Sequence, residues 1–192
     1  MEEMKSAFER ALERAEQMGK LSPGEMQRQN EAKYRPVGEA IAKRFFEHGY
    51  ASILSEQLDK LGDEGKLIAT QAALSELIGQ ISIEDRSTTE RVLDGIFALG
   101  ESDHLQRIAE DVMTLFGQYS WQKNLWYEEN SEYISKEVEV RLAKMGISGN
   151  AIGDVNIEND DRWAVESGKL RTEYQARLGQ YQERLAQELG IA

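Results

Sequence analysis

The sequence predicts an all-α protein: a multi-helix bundle with a long, aromatic-rich central helix and a C-terminal amphipathic helix after an ordered loop. Three observations carry that prediction. Only two Pro occur in 192 residues, and Glu, Ala, Leu, Gln, Arg and Lys, all good helix formers, are abundant. Apolar residues recur at three- and four-residue steps through most of the chain. Gly, Ser and Asp punctuate those runs where helices stop and start.

The stretch Tyr119 to Met145 is the predicted spine. It holds no Pro or Gly and two of the three Trp. On a helical wheel Tyr119, Trp126, Tyr133 and Val140 fall on one arc, and Tyr127, Ile134, Val138, Leu142 and Met145 on an adjoining one. Glu128, Glu132, Lys136 and Glu139 line the rest. An apolar arc this wide suits a helix with several neighbours.

From the start of the chain, Met4, Phe8, Ala11, Leu12, Ala15 and Met18 make one stripe, which predicts a helix over 3–18 ended by Gly19. Ser22, Pro23 and Glu25 then form a capping box with Pro at the first helical position. The polar piece 23–33 is predicted to break or kink at Tyr34-Arg35-Pro36. Val37, Ile41, Phe45 and Phe46 carry the next helix to Gly49. Leu54, Leu58 and Leu61 follow, then a tight turn at Gly62-Asp63-Glu64-Gly65. Leu67 to Ile81 continue the helical pattern. After a polar connection at 82–87, helices are predicted over 88–99 and 103–117, with Gly117 leading into the spine. Residues 146–160 carry three Gly and the apolar Ile152, Val155 and Ile157, which predicts an extended, ordered loop. Asp160 or Asp161 caps the last helix. Domain organisation follows: an N-terminal helical arm at 1–35, a bundle at 36–145, the ordered loop at 146–160 and the C-terminal helix at 161–192. No repeat period indicates a solenoid.

The last helix presents Trp163, Leu170, Tyr174, Leu178, Tyr181, Leu185 and Leu189 at near-heptad steps. This narrow stripe suits a two-helix seam of coiled-coil type. Glu173 and Arg177 stand at a pairing distance. Two readings compete for the stripe: core against the chain's own spine, or a surface that seeks a partner. The reading favours a partner, most simply another copy of the chain, through Leu170, Tyr174, Leu178, Tyr181, Leu185 and Leu189. The stripe at Met4 to Met18 is a candidate mate.

Net charge is −12, and the basic residues are interspersed with Glu. Both facts argue against nucleic acid and anionic membrane as partners. Absence of Cys removes disulfides, thiolate nucleophiles and Cys-ligated metals. The acidic N-terminus lacks the basic start and apolar run of a secretory signal, and no window is apolar enough to span a bilayer. A cytoplasmic protein is expected.

Candidate chemistry is sparse. His48 stands at a predicted helix end, where imidazolium is favoured. Glu101 and His104 form one Glu-x-x-His, a pair that di-iron bundles use twice; capping of a helix start explains it better. Asp154, Asn156, Glu158 and Asp160 alternate, but an EF-hand loop needs Gly and Glu where Asn159 and Val165 stand. The spacing of Gly146, Gly149 and Gly153 is not a dinucleotide fingerprint. Trp121, Trp126 and Trp163 suit core better than a pocket wall. No catalytic, cofactor-binding or metal-ligating residue is assigned, and no cofactor is implied.

Three segments, SAFERALERAEQMGKLSP, KYRPVGEAIAKRFF and GISGNAIGDVNIENDDRW, together resemble a family of bacterial all-helical proteins of unknown function. The likeness is strongest over the N-terminal 46 residues and at 146–163. Gly24 departs from it, since members carry an acid or another good helix former there. The resemblance implies an α-helical fold with an ordered C-terminal segment and transfers no activity. The leading expectation is a self-associating protein–protein interaction module: a scaffold, adaptor or co-chaperone-like component. The alternative is a small-molecule- or metal-binding helical protein, or an enzyme, with the Trp cluster as a pocket wall and Glu101 and His104 as polar groups. A stalk or regulatory subunit of a larger complex is the third.

Overall fold

The computed structural model describes residues 22–100, 102–147 and 155–191. The fold is all-α. Among the described residues there are six α-helices and no strand: α1 Pro23–His48, α2 Ser52–Leu58, α3 Asp63–Gly79, α4 Arg86–Leu99, α5 Asp103–Lys144 and α6 Asp161–Glu188, with a 3-10 turn at Ile157–Asn159 before α6. The predicted helix at 3–18, Gly19, Glu101 and the loop residues Gly149, Ile152, Gly153 and Asp154 lie outside the described residues. The chain divides into two compact units, Met1–Ala73 and Leu74–Ala192, so the bundle expected at 36–145 spans the division.

In the first unit the expected capping box forms. The Glu25 amide donates to Ser22 Oγ at 3.2 Å, and the Ser22 amide donates to Glu25 Oε2 at 2.9 Å. Gly49, at φ 75°, ends α1 in the left-handed region that glycine tolerates. Between these caps α1 runs unbroken through Pro36, where a break or kink was expected. Pro36 removes one bond to the Ala32 carbonyl. Both residues are exposed, so solvent can satisfy that oxygen. Ile41, Ala42 and Phe45 of α1 are buried, as are Leu54 and Leu58 of α2, and these anchor the continuous helix.

Two glycines set how closely helices approach in this unit. A Cβ on Gly38 would overlap the backbone carbonyl of Ala69 on α3. A Cβ on Gly65 would stand 2.6 Å from Cε1 of the Tyr34 ring. Gly65 therefore lies within α3 as a contact point, not in the turn that its sequence context predicts.

The second unit is organised along α5 and α6. Helix α5 passes through Gly117 without interruption and reaches 42 residues, joining the predicted helix 103–117 and the spine into one. A helical Gly costs about 1 kcal/mol relative to Ala. Burial of Val112, Leu115, Phe116 and Tyr119 on both sides outweighs that. The spine prediction needs a second correction. Its most buried part is the first half, from Leu105 to Tyr119, whereas Tyr133 is 62 % and Met145 69 % exposed. Beyond Tyr119, α6 and the 3-10 turn cover one side of α5, so only Ile134 of the later arcs is fully buried.

Polar side chains of α6 complete this packing. At the end of α3, Gln182 Nε2 donates to the carbonyls of Ile78 at 2.9 Å and Ile81 at 3.2 Å, the former also accepting from the Ile81 amide. The Ile83 amide donates to Gln175 Oε1 at 3.3 Å. Thr89, the buried polar residue of α4, donates through Oγ1 to the Ser82 carbonyl and accepts from the Ser82 amide. No described helix is long and apolar enough to cross a membrane.

Candidate functional site

The C-terminal stripe comes first, because it was the expected partner surface. Tyr174, Leu178 and Leu185 are at most 1 % exposed, and Leu170, Tyr181 and Leu189 are half-buried. The chain covers them itself. Tyr174 meets the Tyr119 ring at 5.4 Å, and Arg177 lies over the other face of Tyr174 at 4.8 Å. Tyr174, Leu178 and Leu185 are thus packing residues of the single chain. The reason is length: α5 is one continuous rod, so it offers α6 a matching seam along most of its course. Arg177 also departs from expectation. It donates to Gln118 Oε1 on α5 at 2.9 Å instead of pairing with Glu173.

The aromatic group divides. Trp126 and Tyr127 of α5 meet Trp163 of α6 at 5.4 and 5.7 Å, the latter edge-on, and Lys123 Nζ lies 5.5 Å from the Trp163 ring. These rings pack between the two helices. Trp121 does not join them. Two residues beyond Tyr119, it points to the opposite side of α5 and is 63 % exposed.

Around Trp121 the surface is unlike the rest of the chain. Between Val112 and Tyr127 the only charged residue is Lys123, in a protein that is 30 % charged. Thr114, Gly117, Trp121 and Leu125 follow at three- and four-residue steps, share one side of the helix, and are all exposed. No atom stands within 4 Å of a Cβ built on Gly117, so another backbone can approach closely there. Glu110 precedes this neutral face and Glu128 follows it. The charge gap is visible in the sequence, and the partner expectation overlooked it because the apolar stripes outweighed it.

At the start of α6 a charged clasp holds the two helices. Arg162 donates through Nε to Asp160 Oδ1 at 2.8 Å, through Nη2 to Asp160 Oδ2 at 3.1 Å, and through Nη1 to Glu137 Oε2 on α5 at 2.7 Å. Its guanidinium also lies over Tyr133 at 5.7 Å. Asp160 is the N-cap as well, accepting from the Arg162 amide at 3.0 Å. The side-chain bonds from Arg162, then its amide, hold the Asp160 carboxyl at about 2. Asp160 and then Glu137 push the Arg162 guanidinium further up. Two open grooves, of about 310 and 560 Å³, flank the clasp along Val138, Arg141 and Asp161.

A carboxylate lowered on folding stabilises the fold above its unfolded value, about 4. That contribution disappears as pH falls through the folded value. The difference in thermal midpoint between the natural chain and Asp160→Asn, followed by circular dichroism, should therefore be constant above pH ~4 and close by pH ~2. A gap that persists at the lowest pH would show that the charge is not what Asp160 contributes.

The remaining candidates have local structural tasks. His104 Nδ1 lies 2.7 Å from Glu188 Oε2, and Ser102 Oγ donates to Glu188 Oε1 at 3.4 Å; together they tie the start of α5 to the end of α6. His48 sits in the last turn of α1. Asn156 caps the 3-10 turn by accepting from the Glu158 amide at 2.9 Å. Among the described residues no three His, Asp or Glu side chains converge as metal ligands. No family model, curated protein or solved structure matches the chain.

Proposed function

We propose that the protein is a protein–protein interaction module, a scaffold, adaptor or co-chaperone-like component, and that it self-associates through the neutral face of α5. The observation that carries this reading is the exposed Trp121 on a face of α5 formed by the uncharged, exposed Thr114, Gly117, Trp121 and Leu125. Two copies at net charge −12 repel each other over most of their surfaces. They meet at least cost where charge is absent. Interface centres are depleted in charged residues, and Trp is prominent among the residues that dominate binding energy. Gly117 supplies a flat point for close contact one turn from Trp121. A Cys-free chain suits the cytoplasm, where we place it.

Light scattering after size-exclusion chromatography tests the proposal. The natural chain should elute as a homo-oligomer, and Trp121→Glu as a monomer with an unchanged helical spectrum. A natural chain that stays monomeric across the micromolar range would overturn self-association. An oligomer indifferent to Trp121→Glu would move it to another face.

A further inference from the structure

The side of α5 that carries the neutral face extends beyond it in both directions. Asp103, Arg107 and Glu110 precede the face, and Glu128, Glu132 and Lys136 follow it. All six are exposed, as are Thr114, Gly117, Trp121 and Leu125 between them. At 3.6 residues per turn, each of these residues falls within about 60° of Trp121 around the helix axis. Along this side the small Thr114 and Gly117 come first and the large Trp121 and Leu125 second.

We infer that the α5 helix of a second copy lies antiparallel on this side, across a two-fold axis level with Tyr119, with Trp121 of each copy seated on Gly117 of the other. The inference rests on the self-association proposed above and adds the orientation, which that reading leaves open. A closed dimer through one helix face is either parallel and in register or antiparallel, since a staggered parallel pairing generates open filaments. In the parallel case every residue meets its own counterpart. Gly117 then faces Gly117 across a gap, Trp121 crowds Trp121, and each of the six charged residues meets its like. The antiparallel case removes all but one of these conflicts. Gly117 comes level with Trp121 of the second copy and Thr114 with Leu125, so large side chains meet small ones on both sides of the axis. Asp103 comes level with Lys136 and Arg107 with Glu132, each to within one residue, about 1.5 Å along the axis. Lys136 and Glu132 already pair within one chain. The second copy adds Arg107 beside Glu132 and Asp103 beside Lys136, so four charges alternate in sign at each end of the interface. The one like-charged meeting on this side is Glu110 with Glu128, and Arg107 stands one turn from that Glu110.

Spin labels read the orientation, because the chain has no Cys besides those introduced. In an antiparallel dimer the labels of Glu110→Cys lie about 27 Å apart along the helix axis, and so do those of Glu128→Cys. Mixing the two variants should add a component below about 15 Å, the reach between labels on neighbouring helices, that neither variant shows alone. Charge reversal is the second test. Arg107→Glu should weaken dimerisation roughly three- to tenfold, since two exposed pairs are lost at once, and Arg107→Glu with Glu132→Arg should restore it. All of these positions are exposed, so the helical spectrum should be unchanged. Short distances for each variant alone, or no new component on mixing, in an oligomer that Trp121→Glu dissociates, would overturn the antiparallel arrangement and leave self-association standing. A double charge variant as weak as Arg107→Glu would do the same. A chain that is monomeric by light scattering, or an oligomer indifferent to Trp121→Glu, would instead overturn the reading on which the inference rests, and the inference with it.

Discussion

Truncation of Tyr174 to Ala should lower the unfolding free energy of the second unit by about 3–5 kcal/mol, the usual cost of deleting a large buried aromatic ring. Tyr174 is 1 % exposed and lies at the middle of the α5–α6 seam. Its ring fills space against Tyr119 at 5.4 Å, and Arg177 covers its other face. An aromatic pair contributes about 0.5–1.5 kcal/mol beyond the area it buries, so the loss exceeds that of an aliphatic residue in the same place. Urea unfolding followed by Trp fluorescence reads the change. The neighbouring exposed Glu173→Ala should stay within about 0.5 kcal/mol of the natural chain. If the two variants behaved alike, α6 would not be core, and its stripe would be free to serve a partner.

Gly38→Ala and Gly24→Ala should move stability in opposite directions. In both cases Ala is the better helix former, by about 1 kcal/mol. At Gly24 nothing lies within 4 Å of the added methyl, so the gain stands. At Gly38 the methyl overlaps the Ala69 carbonyl oxygen, a backbone atom that no side-chain rotation can move aside. The helices must separate, and overpacking of this kind costs typically 1–3 kcal/mol. Gly38→Ala is thus expected to be a net loss and Gly24→Ala a net gain. Thermal unfolding by circular dichroism distinguishes them; a stabilised Gly38→Ala would mean that α1 and α3 do not touch there.

Local signals in the sequence were enough for several helix ends, though not for the start of α3 at Asp63. Ser22, Pro23 and Glu25 start α1, Gly49 stops it, and Asp160 opens α6, because each cap is made by residues within a few positions of one another. Signals that packing can override misled. Pro36 and Gly117 both disfavour helix locally, yet each sits in a helix anchored by buried residues on either side, and propensity is the smaller term. Contacts between distant segments were out of reach. Nothing near Gln182 announces that it will serve the carbonyls of Ile78 and Ile81, about a hundred positions away. The destination of Arg177 and the separation of Trp121 from Trp126 and Trp163 depend likewise on which way α6 crosses α5. The candidate site is the reverse case. Its mark, a long interval with a single charge, stands in the sequence in plain view. Its meaning depends on knowing that Thr114, Gly117, Trp121 and Leu125 face outwards.

The most direct measurement of that face is an inter-copy distance. A spin label at Asn124→Cys, one turn from Trp121, should report dipolar coupling between labels on two copies. A label at Leu67→Cys, exposed on α3 in the first unit, should give a different, longer distribution or none. Short distances at Asn124 that vanish in the Trp121→Glu background are the predicted result. Absence of coupling at Asn124, in a sample that light scattering shows to be oligomeric, would contradict the assignment of the neutral face of α5 as the surface where copies meet.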